Sequence, residues 1–177
     1  TVSRSQEAKD LGIQMGVPLF QIKDIVERHN VQVLSSNYAL YAEMSRRAMK
    51  ILGEFVSPHE IFEYSIDESF LDLTAYAAHH DLTEYGHTII ARLLKCLSLP
   101  ACIGFGRSLT EAKLANHIAK KNKQFNGVCN LTAIDYCWTE SMYQNIEVGD
   151  VWGIGRQHTK KLNSMGIMTV LDFINAS

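Results

Sequence analysis

The chain has 177 residues, 46% of them hydrophobic and 20% charged, a balance typical of a folded globular protein that excludes wholesale disorder. Its formal net charge of −2 excludes a strongly basic nucleic-acid binder, so any contact with DNA would depend on a local basic patch. No apolar run reaches the roughly 20 residues that a membrane-spanning helix needs, and no signal peptide is visible. We therefore expect a cytoplasmic protein with no membrane partner.

The four cysteines are not spaced as zinc ligands. They predict reduced, mostly buried thiols at Cys96, Cys102, Cys129 and Cys137.

The first 37 residues predict two short helices. Residues 5–12 favour a helix capped by Ser5 and ended by Gly12. Residues 19–28 favour a second helix whose inward face is formed by Phe20, Ile22, Ile25 and Val26. Residues 31–34 favour a short strand. Free N–H groups at the start of the first helix could receive an anion, although every helix has such an end.

The middle of the chain predicts alternating helices and strands. A helix over 38–54 precedes two strands, followed by a helix up to residue 97, a strand over 101–106, a helix over 110–121 and a closing strand over 128–131. With one further strand before residue 1, this order is the βαββαβ pattern of an α+β, split-βαβ (ferredoxin-like) domain. Residues 104–106, Gly-Phe-Gly, lack the rest of a phosphate-binding loop, so we interpret them as a strand whose backbone closely approaches a neighbour.

From residue 132 the pattern predicts a small all-helical unit. Its centre, residues 148–155, combines apolar residues with a tight glycine turn, and a basic helix follows over 156–165. This composition indicates a helix-hairpin-helix, in which Gly153 and Gly155 let the backbone approach a phosphate while Arg156 and Lys160 add positive charge. Such contacts would hold a duplex without recognising its sequence, although helix-hairpin-helix units also serve as packing modules.

Two adjacent acids, Asp67 and Glu68, interrupt the apolar and aromatic stretch 60–73. Neighbouring residues of an extended strand point to opposite faces, so the two acids can converge only where the chain turns. Converging carboxylates in apolar surroundings repel each other and lose hydration, which a divalent cation such as Mg²⁺ would offset. A solvated acidic turn between two strands fits the same pattern.

Residues 64–68, Tyr-Ser-Ile-Asp-Glu, followed by residues 70–73, Phe-Leu-Asp-Leu, resemble the palm signature of the Y-family DNA polymerases, the low-fidelity lesion-bypass enzymes. Residues 36–45 and 150–155 are similar to the UmuC branch of that family. The resemblance runs along the whole chain. It implies a fingers unit over 1–37, a palm over 38–127 and a helix-hairpin-helix thumb over 131–177.

The resemblance also implies site residues and partners. Asp67 and Glu68 would bind Mg²⁺ for the two-metal transfer of a nucleotide from a dNTP to a primer 3′-hydroxyl opposite damaged template. Residues that would bind the nucleotide are Ser3, Arg4, Gln6 and Lys9 in the fingers and Lys120 in the basic run formed with Lys113, Lys121 and Lys123. Gln6 and Lys9 stand where many members have tyrosine and arginine. Expected partners are primer-template DNA and, in a full-length parent, a UmuD-like accessory protein, a recombinase filament and a sliding clamp, in the SOS response at the bacterial nucleoid.

Some family features lie outside this sequence. In the family, a strand before the fingers carries another catalytic aspartate and the aromatic residue that excludes ribonucleotides, and a further DNA-binding domain follows the thumb. We therefore expect a fragment that is inactive alone. Two other functions stay open: a nucleotide cyclase, which the glycine turn with Arg156 and Lys160 disfavours because a cyclase holds no duplex, and a non-catalytic DNA-binding or scaffolding protein.

Overall fold

The computed structural model describes residues 1–176, which form helices of up to 16 residues and four strands of three residues each. The α-helices are α1 (Gln6–Asp10), α2 (Lys23–Arg28), α3 (Tyr38–Leu52), α4 (Leu82–Leu97), α5 (Leu109–Lys121), α6 (Tyr136–Tyr143), α7 (Arg156–Ser164) and α8 (Val170–Asn175). Short 3₁₀ helices lie at Leu19–Gln21, Pro58–Glu60, Lys123–Phe125 and Val148–Asp150. The strands are β1 (Ile61–Glu63), β2 (Ser69–Leu71), β3 (Ile103–Phe105) and β4 (Val128–Asn130). Residue 177, the last residue of the expected thumb, lies outside the described residues.

The chain divides into two compact units, Thr1–Glu43 and the part from Met44 onward. The predicted fingers, palm and thumb use other boundaries, which stay predictions.

In the first unit, the expected start and end of α1 are confirmed. The Ser5 hydroxyl accepts a hydrogen bond from the Ala8 N–H, and Gly12 follows the helix with a φ of +80°. Of the side chains expected to face inward, Ile22 is buried and Ile25 and Val26 are half-buried, as predicted. The expected inward position of Phe20 is wrong, because its side chain is 77% exposed. Phe20 lies in a 3₁₀ helix, which has three residues per turn, so α-helical spacing does not predict its face.

The strand expected over residues 31–34 is also wrong. These residues adopt neither helix nor strand. Val33 and Leu34 are 54% and 84% exposed, and no strand in residues 1–176 pairs with them. A β-branched, apolar run forms a strand only when a neighbour completes its hydrogen bonds.

In the second unit, the predicted order of helices and strands is confirmed. β1 and β2 form an antiparallel hairpin in which Ile61 is opposite Leu71, while β3 and β4 pair in parallel across the α5 crossover. Within residues 1–176 these are two separate two-stranded ladders. The mixture of helices and small sheets fits an α+β class, and a single split-βαβ sheet stays a prediction.

Two apolar clusters form the core of the second unit. One contains Ile51, Leu52, Ile89 and Leu93. The other contains Leu114, Ala115, Ile118, Ala119, Cys129, Leu131, Tyr143, Ile146 and Val170. The second cluster packs α5 and β4 against α6 and α8, so the basic helix and the C-terminal helices share one core.

Gly104 in β3 and Gly106 just after it allow this part of the chain to pack closely on α5. A Cβ atom at Gly104 would collide with the backbone nitrogen of Asn116, and one at Gly106 would lie 2.5 Å from that of Ala112. The close backbone approach predicted at residues 104–106 is confirmed.

The cysteines are less buried than expected. All are free, Cys129 is buried and Cys102 is half-buried, but Cys96 and Cys137 are exposed. The exposed pair lies on the outer faces of α4 and α6, where apolar character alone does not ensure burial. Among the described residues, no helix is both long and apolar enough to span a membrane.

Candidate functional site at the acidic turn

The two acids lie at the end of the β1–β2 hairpin, as the sequence predicted. The N–H groups of Tyr64 and Ser65 both donate to the Glu68 carbonyl oxygen, at 3.1 and 2.9 Å, which closes a tight turn. Within it, the Ser65 hydroxyl donates to Asp67 Oδ1 at 2.8 Å. The Asp67 side chain is exposed. The loss of hydration expected from the apolar flanks is therefore absent at Asp67, because the turn carries this residue out of the hairpin.

Glu68 is partly buried and paired with a cation. Its Oε2 atom lies 2.9 Å from Nζ of Lys113, and the side chains of Lys113 and Glu68 are 23% and 32% exposed. Helix α5 presents this lysine after Ser108 caps its first turn by accepting from the Glu111 N–H. The lysine thus offsets the charge of Glu68 without help from a bound ion.

Three aromatic rings pack against one another beside this ion pair, and two of them contact its lysine. The rings of Tyr64, Phe70 and Trp152 lie 5.4 to 6.0 Å apart between centroids, and the Trp152 indole N–H donates to the Tyr64 hydroxyl at 3.0 Å. Nζ of Lys113 lies 4.7 Å from the centroid of the Tyr64 ring and 5.6 Å from that of Trp152. We call Tyr64, Phe70, Trp152, Lys113 and Glu68 the Lys113 cluster.

The donor chemistry of the acidic turn fits Mg²⁺. Asp67 and Glu68 offer carboxylate oxygens, and Mg²⁺ is commonly held by one or two carboxylates together with substrate phosphates and water. Residues 1–176 contain no group of three or more His, Cys, Asp or Glu side chains placed to hold a metal ion. An ion here would therefore take its remaining ligands from phosphate or water, and it would compete with Lys113 for Glu68.

The basic residues at the end of α5 differ in their surroundings. Lys120 is exposed. His117 Nε2 and Lys121 Nζ lie 3.5 and 3.7 Å from Asp150 Oδ2, which connects α5 to the 3₁₀ helix before the glycine turn. Burial, followed by the charge of Lys121, lowers the pKa of His117 below its ordinary value.

The glycine turn presents free backbone groups. Gly153 has a φ of +93°, while Gly155 has a φ of −85° and occupies the N-cap of α7 without any side-chain hydrogen bond to the first turn. Arg156 and Lys160 are exposed. A single 3₁₀ helix precedes this turn. The helix-hairpin-helix and its contact with DNA stay predictions.

The four residues predicted to bind nucleotide in the fingers lie in the first unit, whereas Lys120 lies in the second. Ser3 and Lys9 are exposed, and Gln6 Nε2 donates to Asp10 Oδ1 at 2.8 Å. Arg4 donates from one terminal nitrogen to the Ile13 carbonyl at 3.0 Å. Arg4 therefore supports the loop after α1, and the nucleotide-binding roles of these residues stay predictions.

The sequence pattern predicts no separate role for Tyr64 or Trp152, and it places Lys113 only within the basic run. The one local signal for Lys113 is its spacing, because it lies seven residues before Lys120 and therefore on the same face of α5. Its contact with Glu68 spans 45 positions and the contact of Trp152 with Tyr64 spans 88, so local patterns could not reveal either.

Known proteins resemble this chain along nearly its whole length. Protein UmuC of Salmonella typhimurium is 46% identical over an alignment of 177 positions, which covers 99% of this chain and 41% of that protein. DNA polymerase IV of Dehalococcoides mccartyi is 30% identical over an alignment that covers 94% of this chain and 40% of the polymerase. The chain thus spans less than half the length of these curated relatives.

A solved Y-family DNA polymerase chimera has the same fold. It superposes with a TM-score of 0.78 at 23% identity, covering 99% of this chain and 48% of the chimera. The relatives and this fold confirm the resemblance to the UmuC branch of the Y family. The family model described as impB/mucB/samB matches residues 1–117. The chain therefore belongs to the impB/mucB/samB family.

Proposed function

We propose that this chain is the part of an error-prone translesion DNA polymerase that carries two acids of the nucleotidyl-transfer site. The observation that carries the proposal is the hairpin end, where Asp67 is exposed and adjacent Glu68 is held by Lys113 at 2.9 Å. A relative named DNA polymerase IV supports the same activity.

In this function Asp67 and Glu68 would hold Mg²⁺, and the bound ion would supply positive charge for the transfer of a nucleotide from a dNTP to the primer 3′-hydroxyl. Phosphoryl transfer depends mainly on positioning and on neutralising negative charge. Lys120, exposed at the end of α5, supplies such a charge, as do Arg4 and Lys9 of the fingers, while Ser3 and Gln6 supply neutral hydrogen-bond donors. These five residues are proposed to contact the nucleotide.

The glycine turn is proposed to hold primer-template DNA. Gly153 and Gly155 expose backbone, α7 begins without a side-chain cap, and Arg156 and Lys160 are exposed beside it. Uncapped N–H groups and nearby cations bind phosphate without recognising bases.

The proposed domains are fingers over residues 1–37, palm over 38–127 and thumb over 131–177. The proposed partners of the whole polymerase, in the bacterial cytoplasm, are a UmuD-like protein, a recombinase filament and a sliding clamp.

The test is primer extension by a chimera in which this chain replaces the matching 177 residues of the Salmonella relative. We expect Asp67→Asn and Glu68→Gln each to lower the rate of extension by at least about a hundredfold, because each removes a charge that acts in the transition state. The matched control is Glu63→Gln, which neutralises an exposed acid in β1 of the same hairpin.

Circular dichroism would establish that each variant folds. Unchanged extension by both folded variants would contradict the metal role of the acids.

A further inference from the structure

The Lys113 cluster joins two parts of the second unit that the proposed function treats separately. Tyr64 and Phe70 flank the acidic turn, whereas Trp152 immediately precedes Gly153 of the glycine turn. The Tyr64 and Trp152 rings meet edge to face, with an interplanar angle of 89°, and a hydrogen bond fixes their orientation. Aromatic pairs in this geometry contribute stability beyond the area that they bury.

Lys113 lies where the two parts meet. Its ammonium contacts a carboxylate oxygen at 2.9 Å and lies near two ring faces, at 4.7 and 5.6 Å from their centroids. The face of an aromatic ring attracts a cation. The rings therefore restrict the ammonium to one location, and this location fixes the Glu68 carboxylate that pairs with it.

No direct contact between Trp152 and Glu68 is needed for one to affect the other. A change in the Trp152 ring alters the surroundings of the Lys113 ammonium, and the ammonium in turn sets where Glu68 holds its charge. We propose that Trp152 is a positioning residue for Glu68 that acts through Lys113, so that the glycine turn and the acidic turn are energetically coupled.

This inference rests on the proposed function for its meaning in DNA synthesis. A duplex phosphate bound at Gly153 would lie one residue from Trp152, and through Lys113 it would affect the acid that holds Mg²⁺. The site for the duplex backbone and the site for the catalytic ion would then respond to each other.

The test is a triple-mutant cycle on the 177-residue chain, measured by urea denaturation with far-ultraviolet circular dichroism. Trp152→Leu and Glu68→Gln are made singly and together, first in the chain that keeps Lys113 and then in the Lys113→Met background. When Lys113 is present, we expect the effects of the two substitutions on the unfolding equilibrium constant to depart from additivity by about twofold to fivefold. This is the range of a partly exposed cation–π contact. With Lys113→Met, the pair becomes additive.

Additivity with Lys113 present would overturn the proposal, as would equal coupling in the Lys113→Met background. Lys113→Arg should retain the coupling, because arginine also pairs with carboxylates and stacks on aromatic rings. If Trp152→Leu does not fold, Trp152→Phe replaces it. That variant keeps a ring face but loses the indole N–H. Its coupling energy with Glu68→Gln must be smaller than that of Trp152→Leu and must still disappear with Lys113→Met.

A spectroscopic measurement tests the same path without relying on stability. The chain has two tryptophans, and Trp138→Phe leaves Trp152 as the sole indole fluorophore. We expect Glu68→Gln to shift Trp152 emission when Lys113 is present and to leave it unchanged with Lys113→Met. No shift in either background would contradict the proposal.

Neither measurement uses metal, nucleotide or DNA. Their failure would therefore leave the proposed polymerase function intact. Unchanged primer extension by both Asp67→Asn and Glu68→Gln would contradict the metal role of the acids and leave the coupling.

Discussion

At the scale of single residues, Glu68 combines two requirements. Its Oε2 atom pairs with Lys113 at 2.9 Å, and the same carboxylate is proposed to bind Mg²⁺. A partly buried carboxylate without a cation is costly, so the lysine stabilises Glu68 whenever no metal is bound. Asp67 is exposed and does not need such a partner.

The two glycines of the predicted DNA-binding turn should differ in their tolerance of a side chain. Gly153 has a φ of +93°, so Gly153→Ala should lower the free energy of unfolding by about 1 kcal/mol or more. Gly155 has a φ of −85°, and a Cβ atom added there would meet no atom within 4 Å, so Gly155→Ala should change the free energy of unfolding little. Urea denaturation of both variants measures the difference, and equal stabilities would contradict the strained conformation at Gly153.

Local pattern predicted the acids, but it could not predict their partners. Asp67 and Glu68 interrupt an apolar run, and that contrast is visible in a short window of sequence. Lys113 and Trp152 reach the hairpin from 45 and 88 residues away, and only tertiary packing brings them there. Sequence alone also does not tell which glycine of a Gly-x-Gly turn is left-handed, and here the positive φ occurs at Gly153 and not at Gly155.

At the scale of elements, the packing of β3 on α5 depends on glycine. Gly104→Ala should lower the free energy of unfolding by about 3 kcal/mol, because its Cβ meets the backbone of α5, which cannot move aside as a flexible side chain can. Gly53→Ala is the control, since its nearest neighbour would lie 3.5 Å away. A urea midpoint for Gly104→Ala equal to that of the control would mean that the strand and helix are not tightly packed.

Long periodic elements were predictable and short ones were less so. Helices α3, α4 and α5 have 13 to 16 residues with apolar positions at helical spacing, and each was predicted within about two residues of its ends. The run 31–34 has strand-like composition but no partner, whereas β1 and β2 have only three residues each and form because they face each other. Strand formation depends on such a neighbour, which local composition does not reveal.

At the scale of the whole molecule, the larger core cluster should make the fold sensitive to alkali. Burial raises the pKa of the Cys129 thiol to about 11 and that of the Tyr143 hydroxyl to about 12, both above their ordinary values. Both groups are neutral below their unfolded pKa values, where their contribution to stability is complete. Above about pH 9 the unfolded chain loses the cysteine proton first, so stability should decrease as the pH rises toward 11.

Urea denaturation from pH 7 to 10.5 measures this loss of stability. Cys129→Ala should reduce the decrease between about pH 9 and 10.5, while Cys96→Ala, at an exposed position, should not. An identical pH dependence in wild type and Cys129→Ala would show that the thiol ionises equally well in both states.

The whole-molecule account depends on a metal ion bound by Asp67, and a change of metal preference tests this most directly. The measurement is primer extension by the same chimera carrying Asp67→Cys, with Mg²⁺ and then with Mn²⁺ or Cd²⁺, which tolerate a thiolate ligand better. The account predicts that the rate of extension by Asp67→Cys falls by at least about a hundredfold with Mg²⁺ and partly recovers with the softer ion. The control Glu63→Cys should stay active with Mg²⁺, and the softer ion should not raise its rate. Full activity of Asp67→Cys with Mg²⁺, or no recovery with either softer ion, would contradict it.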